Sequence, residues 1–452
     1  WDVAANMMDP VSMRLIVLLC HTNDWEVRQR DVTQAFLHGK LEVEIAVKIP
    51  ECGLYDEYGD KIEVPGDKQV LIKKAVPGLK QAGNRWDETW NKAVAAVDPG
   101  FKAGTMDPSV MVKRDMQGKV IGLLGRHVDD SASGGAPEAN LDEFFKKLNR
   151  NHFEVKDEGP IRHFLSVEYT GTEFGVIAHQ NAAIQAMLKK FRMENANAKT
   201  VPLPPAMIKS KEWYETGNPV SCNVPYRELI GSYGYLVQQT RPDIAAATGN
   251  LGQFNSNPQA IHWEGAKHVL KYLKGTSGYG INLTPDSLRE SREVDVLECF
   301  VDASFADCLK TRKSRTGYLF RVNGVLIDWK SKKQTTVATS TCEAEVIALF
   351  MAVTRGKYVK SLVKELGLTP KVTDYYEDNR SARFFAESGG LSKLTKHFDV
   401  NMLSIQEKIE NGEIEVHDVS SEDQLADILT KPLDAGTFRK IRDQLVMNAL
   451  PL

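Results

Sequence analysis

The sequence predicts a multidomain protein of mixed α/β and α+β class. Three observations predict it. The chain has 452 residues, a length that sets a prior of about two to four domains. Its C-terminal part reads as strand, hairpin, long helix, strand and further helices, which is an α/β order. Composition breaks at three places: the small-residue run Ser131 to Ala136, the Pro-rich stretch Val201 to Pro225, and the polar segment Thr284 to Glu293.

The elements follow from periodicity. Trp25 to Arg30 alternates as a strand does, and Val120 to Val128 is an apolar, strand-like segment. Leu141, Phe144, Phe145 and Leu148 recur at i, i+3, i+4 and i+7, which predicts an amphipathic helix. Trp263, Ala266, Leu270 and Leu273 predict another, with Lys267, Lys271 and Lys274 on its other faces. Pro202, Pro204, Pro205, Pro219 and Pro225 read as a linker. A strand is expected at Leu297–Asp302. Gly317–Trp329 predicts a β-hairpin, since Asn323-Gly324 between apolar arms favours a type I′ turn. A long helix should run from Thr341 to Leu366, with Ser340 and Glu343 as a capping box. A strand is expected at Val372–Tyr376.

Hydrophobic residues make up 42% of the chain and charged residues 26%, enough apolar material for several cores and against wholesale disorder. The apolar run Leu15 to Cys20 is far shorter than the roughly 20 residues of a membrane span. Six scattered cysteines (Cys20, Cys52, Cys222, Cys299, Cys308, Cys342) form no CxxC pair. That excludes a disulfide scaffold and a zinc ribbon and suits a reducing compartment. No signal peptide is evident, and a chain that opens on Trp1 is expected to be internal to something longer or trimmed. Net charge is −3, but Thr311 to Lys360 holds ten Lys/Arg against three Asp/Glu. Such a stretch grips a phosphate backbone or forms a solvated face, and charge alone does not decide.

Carboxylates carry the chemistry. Asp31 follows one strand-like segment. Asp129 and Asp130 sit between two others, at an expected hairpin tip. Three carboxylates brought together from neighbouring strands build a site for two divalent cations about 3.5–4 Å apart, and Mg²⁺ suits hard oxygen ligands. Aspartates near turns are also ordinary turn formers. In the second half Asp302 lies late in a strand, Glu345 in the first turns of the long helix, Asp378 just after a strand, and Asp427 near the C-terminus. Gathered at one end of a sheet, such acids would repel one another and invite a cation. Glu343 competes with Glu345, although its place in the capping box gives it a structural job.

The strings DVTQAFLHGKLEVEIAVKIPE, LIKKAVPGLKQAGNRW and RHVDD, in that order, resemble motifs of copia-type retrotransposon reverse transcriptases. FEVKDEGPIRHFLSVEY, YRELIGSYGYL, TRPDIAAATGNLGQF and HWEGAKHVLKYLKGT resemble further segments of the same Pol polyproteins. FVDASFAD, STCEAEVIAL, YYEDN, LTKHFD and EDQLADILTKPL resemble their ribonuclease H segments. The likeness covers nearly the whole chain and implies a reverse transcriptase–ribonuclease H region lacking most of the fingers. It implies a palm with partial fingers over 1–136, a thumb-like region over 137–215, a connection-like helical region over 216–290 and a ribonuclease H-like mixed α/β domain over 291–452.

By this resemblance Asp31, Asp129 and Asp130 are the polymerase's catalytic metal ligands, and Asp302, Glu345, Asp378 and Asp427 those of the nuclease. Each set would hold two Mg²⁺, or Mn²⁺ in its place. Phe36 falls at an aromatic gate against the ribose 2′-OH, or is a core phenylalanine. Lys80 and Gln81 fall in the segment lining the nucleotide and template site. Arg312, Lys313, Arg315, Lys332 and Lys333 would contact hybrid phosphates, or form a solvated face. The implied partners are an RNA template, a DNA primer, an RNA/DNA hybrid and deoxynucleoside triphosphates, with no membrane. The implied setting is a cytoplasmic virus-like particle or the nucleus. The role of His397 stays open.

The sequence departs from the family pattern at several points. His127 stands for the tyrosine of the Asp-Asp box and Pro77 for that of Y-G-L-K-Q. Gly83-Asn84 and Asp157-Glu158-Gly159 replace Pro-Arg and Asp-Leu-Gly forms. Two other readings therefore stand: a degenerate or co-opted element that binds nucleic acid without polymerising, and an active ribonuclease H beside a silent polymerase.

Overall fold

The structure, a computed structural model, describes residues 6–49, 51, 53–56, 58–64, 69–173, 175–215, 224–284, 295–388 and 399–450. It divides into two compact units, one drawn from 1–12 and 25–161, the other from 13–24 and 162–452. The division falls inside the span 137–215 for which a thumb-like region is expected.

Unit 1 is built on a six-stranded antiparallel sheet. Its strand order is Val155–Pro160, Arg28–Val32, Asp130–Gly135, Val120–His127, Val110–Arg114 and Phe101–Ala103. Val120–His127 is almost continuously apolar because it is buried along nearly its whole length. The small-residue run expected to separate domains instead forms the strand Asp130–Gly135, inside the sheet. Its poor β-propensity is overridden by pairing on both sides and by a space requirement. A Cβ on Gly135 would lie 2.7 Å from the Ile121 carbonyl oxygen and 3.1 Å from the Ala139 Cβ. Helices Ala82–Val97 and Leu141–Asn151 cover the sheet with Trp86, Trp90, Phe144, Phe145 and Leu148, which join Phe101 and Phe153 in one core.

Unit 2 holds two five-stranded sheets. The first runs His163–Phe164, Val167–Thr172, Gly175–His179, Tyr279–Asn282 and Met447–Asn448. Helices Tyr226–Gln239, Ala245–Gly252 and Ala260–Gly275 belong to the same unit. The Arg241 guanidinium is fully buried, bidentate on Asp243 at 2.8–2.9 Å, and donates to the Thr276 carbonyl at 2.8 Å. The Tyr272 hydroxyl donates to the same Asp243 at 2.6 Å, so this buried charge pair is fully hydrogen-bonded.

The second sheet has the order Val325–Lys333, Arg315–Val322, Leu297–Ser304, Thr373–Glu377 and Ile414–Asp418. The first three strands are antiparallel and the last two join in parallel. The hairpin turns at Asn323 and Gly324 with φ of 51° and 83°, as a type I′ turn requires. The long helix Thr341–Glu365 packs on the central strand and ends within a residue of its expected limit. It lies so close that a Cβ on Gly356 would sit 1.9 Å from the Tyr375 hydroxyl.

Candidate active sites: two carboxylate clusters

In unit 1, Asp31 lies within the strand Arg28–Val32 rather than after it, and pairs across the ladder with Asp130. Asp130 in turn pairs with His127, so Val128 and Asp129 form a two-residue hairpin tip. Val128 takes φ of 56°, a left-handed conformation unusual for a β-branched residue and typical of strained functional turns. The tip is held from outside. The Trp86 indole N–H donates to the Val128 carbonyl at 2.5 Å, and the Val32 amide donates to the Asp129 carbonyl at 3.0 Å. Arg126, next to the tip, is locked on Asp87 by a short ion pair.

Crowding shows in the protonation of these groups. Burial, then the charges of Asp129 and Asp31, pushes the Asp130 carboxyl up to about 6. Burial and then Asp129 raise Asp31. Burial lowers His127, with Asp129 opposing, which favours a neutral imidazole.

Unit 2 gathers the second cluster. Asp302 comes from the central strand, Glu345 from the first turns of the long helix, Asp378 from the residue after Thr373–Glu377, and Asp427 from the first residue of the short helix Asp427–Thr430. Gly317, paired with Asp302 across the ladder, admits that short helix. A Cβ there would meet the Thr430 Cγ2 at 2.5 Å and the Leu429 Cβ at 2.9 Å.

Asp302, Glu345 and Asp378 bring one ligand oxygen each to within 4.8 Å of one another. Asp302 is 1% exposed and Glu345 4%. Asp302 accepts a short hydrogen bond from the Thr430 hydroxyl, and Asp378 accepts one from Ser421 at 3.0 Å. Burial raises Asp302, against the opposing Lys431 ammonium. Burial, then Glu377, Asp302 and Asp378, raises Glu345 well above the usual range. Burial and then Asp302 push Asp427 up to about 7.

The choice between the two helix acids has a geometric answer. Ser340 Oγ accepts the Glu343 amide at 3.1 Å, while the Glu343 carboxylate accepts from the amide and hydroxyl of Thr339, both at 2.6 Å. Glu343 is thus occupied by the cap, though it reaches back to Thr339 rather than to Ser340. Glu345 Oε2 and Glu377 Oε2, by contrast, are buried without a hydrogen-bond partner. Orphaned carboxylate oxygens inside a ring of acids fit a hard divalent cation.

Asp31, Asp129 and Asp130 do not form a group as tight as the unit 2 triad. Among the described residues, the other such group is Asp374, Glu415 and His417 on neighbouring strands. There His417 Nε2 lies 2.9 Å from Asp374 Oδ1, so a hydrogen bond accounts for it.

The remaining expected residues fall as follows. Phe36 is half-buried and packs on the unit 1 core, Lys80 is exposed, and Gln81 holds the N-cap position of the helix Ala82–Val97 without a side-chain cap hydrogen bond. Arg312 and Lys332 are exposed. Lys313 is half-buried and donates to the Thr335 carbonyl, and Lys333 is held by Gln253 at 2.8 Å. The expectation for Arg315 is corrected: it is 2% exposed and paired with Asp307 at 3.2 Å, so burial withdraws it from any phosphate. His397 lies outside the described residues.

Sequence reasoning missed three groups here. Glu377 is fully buried beside the cluster. Thr430 and Lys431 both touch Asp302. The i, i+4 spacing of Asp427 and Lys431 was the available signal for the lysine.

Comparison with known proteins agrees with the motifs. The family described as "Reverse transcriptase (RNA-dependent DNA polymerase)" matches residues 2–205. The chain is 33% identical over 460 residues to the retrovirus-related Pol polyprotein from transposon TNT 1-94 of Nicotiana tabacum, a match covering 99% of this chain and 33% of that protein. It is 29% identical over 443 residues to the corresponding polyprotein from transposon RE1 of Arabidopsis thaliana, covering 97% of this chain and 29% of that protein. The chain therefore spans about a third of the length of these relatives. A solved foamy viral protease-reverse transcriptase in complex with ds DNA aligns at 11% identity and a TM-score of 0.22, covering 87% of this chain and 59% of that one, a likeness too slight to bear on the fold. Motifs that run in family order and relatives that align along nearly the whole chain agree: residues 2–205 match the reverse transcriptase family, and the chain is similar along nearly its whole length to retrovirus-related Pol polyproteins of transposons.

Proposed function

We propose that the chain is an RNA-directed DNA polymerase joined to a ribonuclease H, each acting by phosphoryl transfer on divalent cations. The observation that carries this reading is that each unit gathers its own carboxylate set. Bound Mg²⁺ would supply charge that stabilises the attacking and leaving oxygens.

In unit 1, Asp31, Asp129 and Asp130 would hold the ions near a deoxynucleoside triphosphate and a primer end. Trp86 fixes the tip that presents Asp129. Phe36 is read as the gate against a ribose 2′-OH, with Lys80 and Gln81 along the nucleotide and template path. In unit 2, Asp302, Glu345, Asp378 and Asp427 would hold the ions that cut the RNA strand of a hybrid. The exposed Arg312 and Lys332 are the basic groups free to meet its phosphates. The five-stranded order, with three antiparallel strands and two parallel ones, supports a ribonuclease H-like arrangement.

A second reading, an active nuclease beside a silent polymerase, is favoured by one observation. Among the described residues, Asp302, Glu345 and Asp378 of unit 2 bring three ligand atoms within 4.8 Å of one another, whereas Asp31, Asp129 and Asp130 of unit 1 do not.

The test is primer extension on an RNA template, run beside cleavage of a labelled RNA/DNA hybrid, both with Mg²⁺. Both activities support the first reading and cleavage alone the second. Binding of hybrid without either activity would leave a co-opted element.

A further inference from the structure

Lys431 lies one turn after Asp427. Its Nζ is 2.8 Å from Asp427 Oδ1 and 3.3 Å from Asp302 Oδ1, so one ammonium bridges two carboxylates. The four acids of unit 2 are thereby divided. On one side Asp302, Glu345 and Asp378 converge, and Glu345 Oε2 and Glu377 Oε2 have no hydrogen-bond partner; Asp427 Oδ1 has none either, but it faces the Lys431 ammonium. On the other side Asp302 and Asp427 are already closed by a positive charge.

We propose that Lys431 is a tethered cation holding the Asp302–Asp427 half of the nuclease site, and that a divalent ion enters that half only by displacing it. The inference rests on the ribonuclease H reading.

An ammonium and a metal ion cannot share the same oxygens at contact distance, because like charges repel and each oxygen's lone pairs are limited. The lysine has a way out, since its side chain is 36% exposed at the edge of the site. Two ion positions of unequal strength follow. The Asp302, Glu345 and Asp378 position should fill first. The Asp302 and Asp427 position should fill weakly until substrate phosphate oxygens join as ligands. In the metal-free protein Lys431 does the neutralising work that the second ion would otherwise do.

Mn²⁺ titration of the full chain tests this, in an Asp129→Asn background that weakens the unit 1 site. Calorimetry and the Mn²⁺ paramagnetic signal are the readouts. Lys431→Met should tighten the weaker unit 2 binding event by about tenfold or more, as expected for removal of a competing charge at contact distance. Lys431→Arg should keep it weak. Lys431→Met should also lower the metal-free melting temperature, and Mn²⁺ should restore it.

A weaker event that is unchanged or looser in Lys431→Met overturns the proposal. If Lys431→Met folds only with Mn²⁺, the proposal is supported. If it fails to fold with Mn²⁺ as well as without, the lysine does a job no ion takes over, and the proposal falls. Glu345→Gln separates this failure from that of the parent reading, because it should remove the tighter event. Loss of neither event in Glu345→Gln, with no hybrid cleavage by the wild type, sinks the nuclease reading itself.

Discussion

Asp31 and Asp130 stand directly opposite each other on adjacent antiparallel strands, in an ordinary ladder position where like charges are destabilising. The strain is visible in the Asp130 carboxyl, which burial and its acidic neighbours push up to about 6. A sheet optimised for stability alone would not pair two aspartates there. The arrangement makes sense as a place prepared for positive charge.

Metal-free stability should therefore fall as pH rises. Burial and acidic neighbours push Asp130 up to about 6 and Asp427 up to about 7, against an ordinary value of 3.8. Between those limits the folded state binds more protons than the unfolded state, so raising pH favours unfolding. Melting temperatures in a chelating buffer should decline from about pH 4 to pH 7, and Mg²⁺ should flatten the decline by binding the folded form. An unchanged slope in the Asp130→Asn, Asp427→Asn double variant would remove these two groups as its cause.

The two activities should separate by unit. Asp129→Asn is expected to abolish primer extension and leave hybrid cleavage intact, since the acids of unit 2 all come from residues beyond 300. Loss of both would show that the clusters are not independent.

The helix acids should behave differently from each other. Glu345→Gln keeps shape and removes charge from the triad, so cleavage should vanish while the circular dichroism spectrum stays native. Glu343→Gln loses only part of the cap to Thr339, which should cost about 1 kcal/mol or less in denaturant titration, with cleavage largely kept. The reverse result would exchange their roles.

Arg241→Ala is expected to be severe although it touches no candidate ligand. It leaves Asp243 charged and fully buried with only Tyr272 as a donor. Breaking such a pair costs about 3–5 kcal/mol. Urea unfolding of unit 2 measures it, and a change below about 1 kcal/mol would mean that water reaches Asp243.

Much of unit 2 was legible because its signals are local. Asn323-Gly324 dictates its own turn, and Ser340 with Glu343 marks a helix start within one turn of sequence. The strand Asp130–Gly135 was not legible. Its serines are paired on one side with Arg28–Val32, far earlier in the chain, which no short window of sequence contains. Arg315 was not legible either, although Asp307 is only eight residues away. Its charge suggests the surface, and only the fold brings Asp307 to it in the interior. For the sites, the acids could be named from motifs, but the pairing of Asp302 with Lys431 joins residues far apart in the chain.

The spread of the unit 2 acids along the chain also orders events in time. Every carboxylate of the unit 1 cluster has been synthesised by residue 130, and the last strand of its sheet by residue 160. The other cluster waits for Asp427 and Lys431, nearly three hundred residues after Asp130. Domains form as they emerge from the ribosome, so the carboxylate set of unit 1 can be in place while that of unit 2 is still incomplete. A premature stop between them would release a chain with the first set of acids and a broken second set. Translation itself thus imposes an order on the two clusters, the acids of unit 2 being completed after those of unit 1.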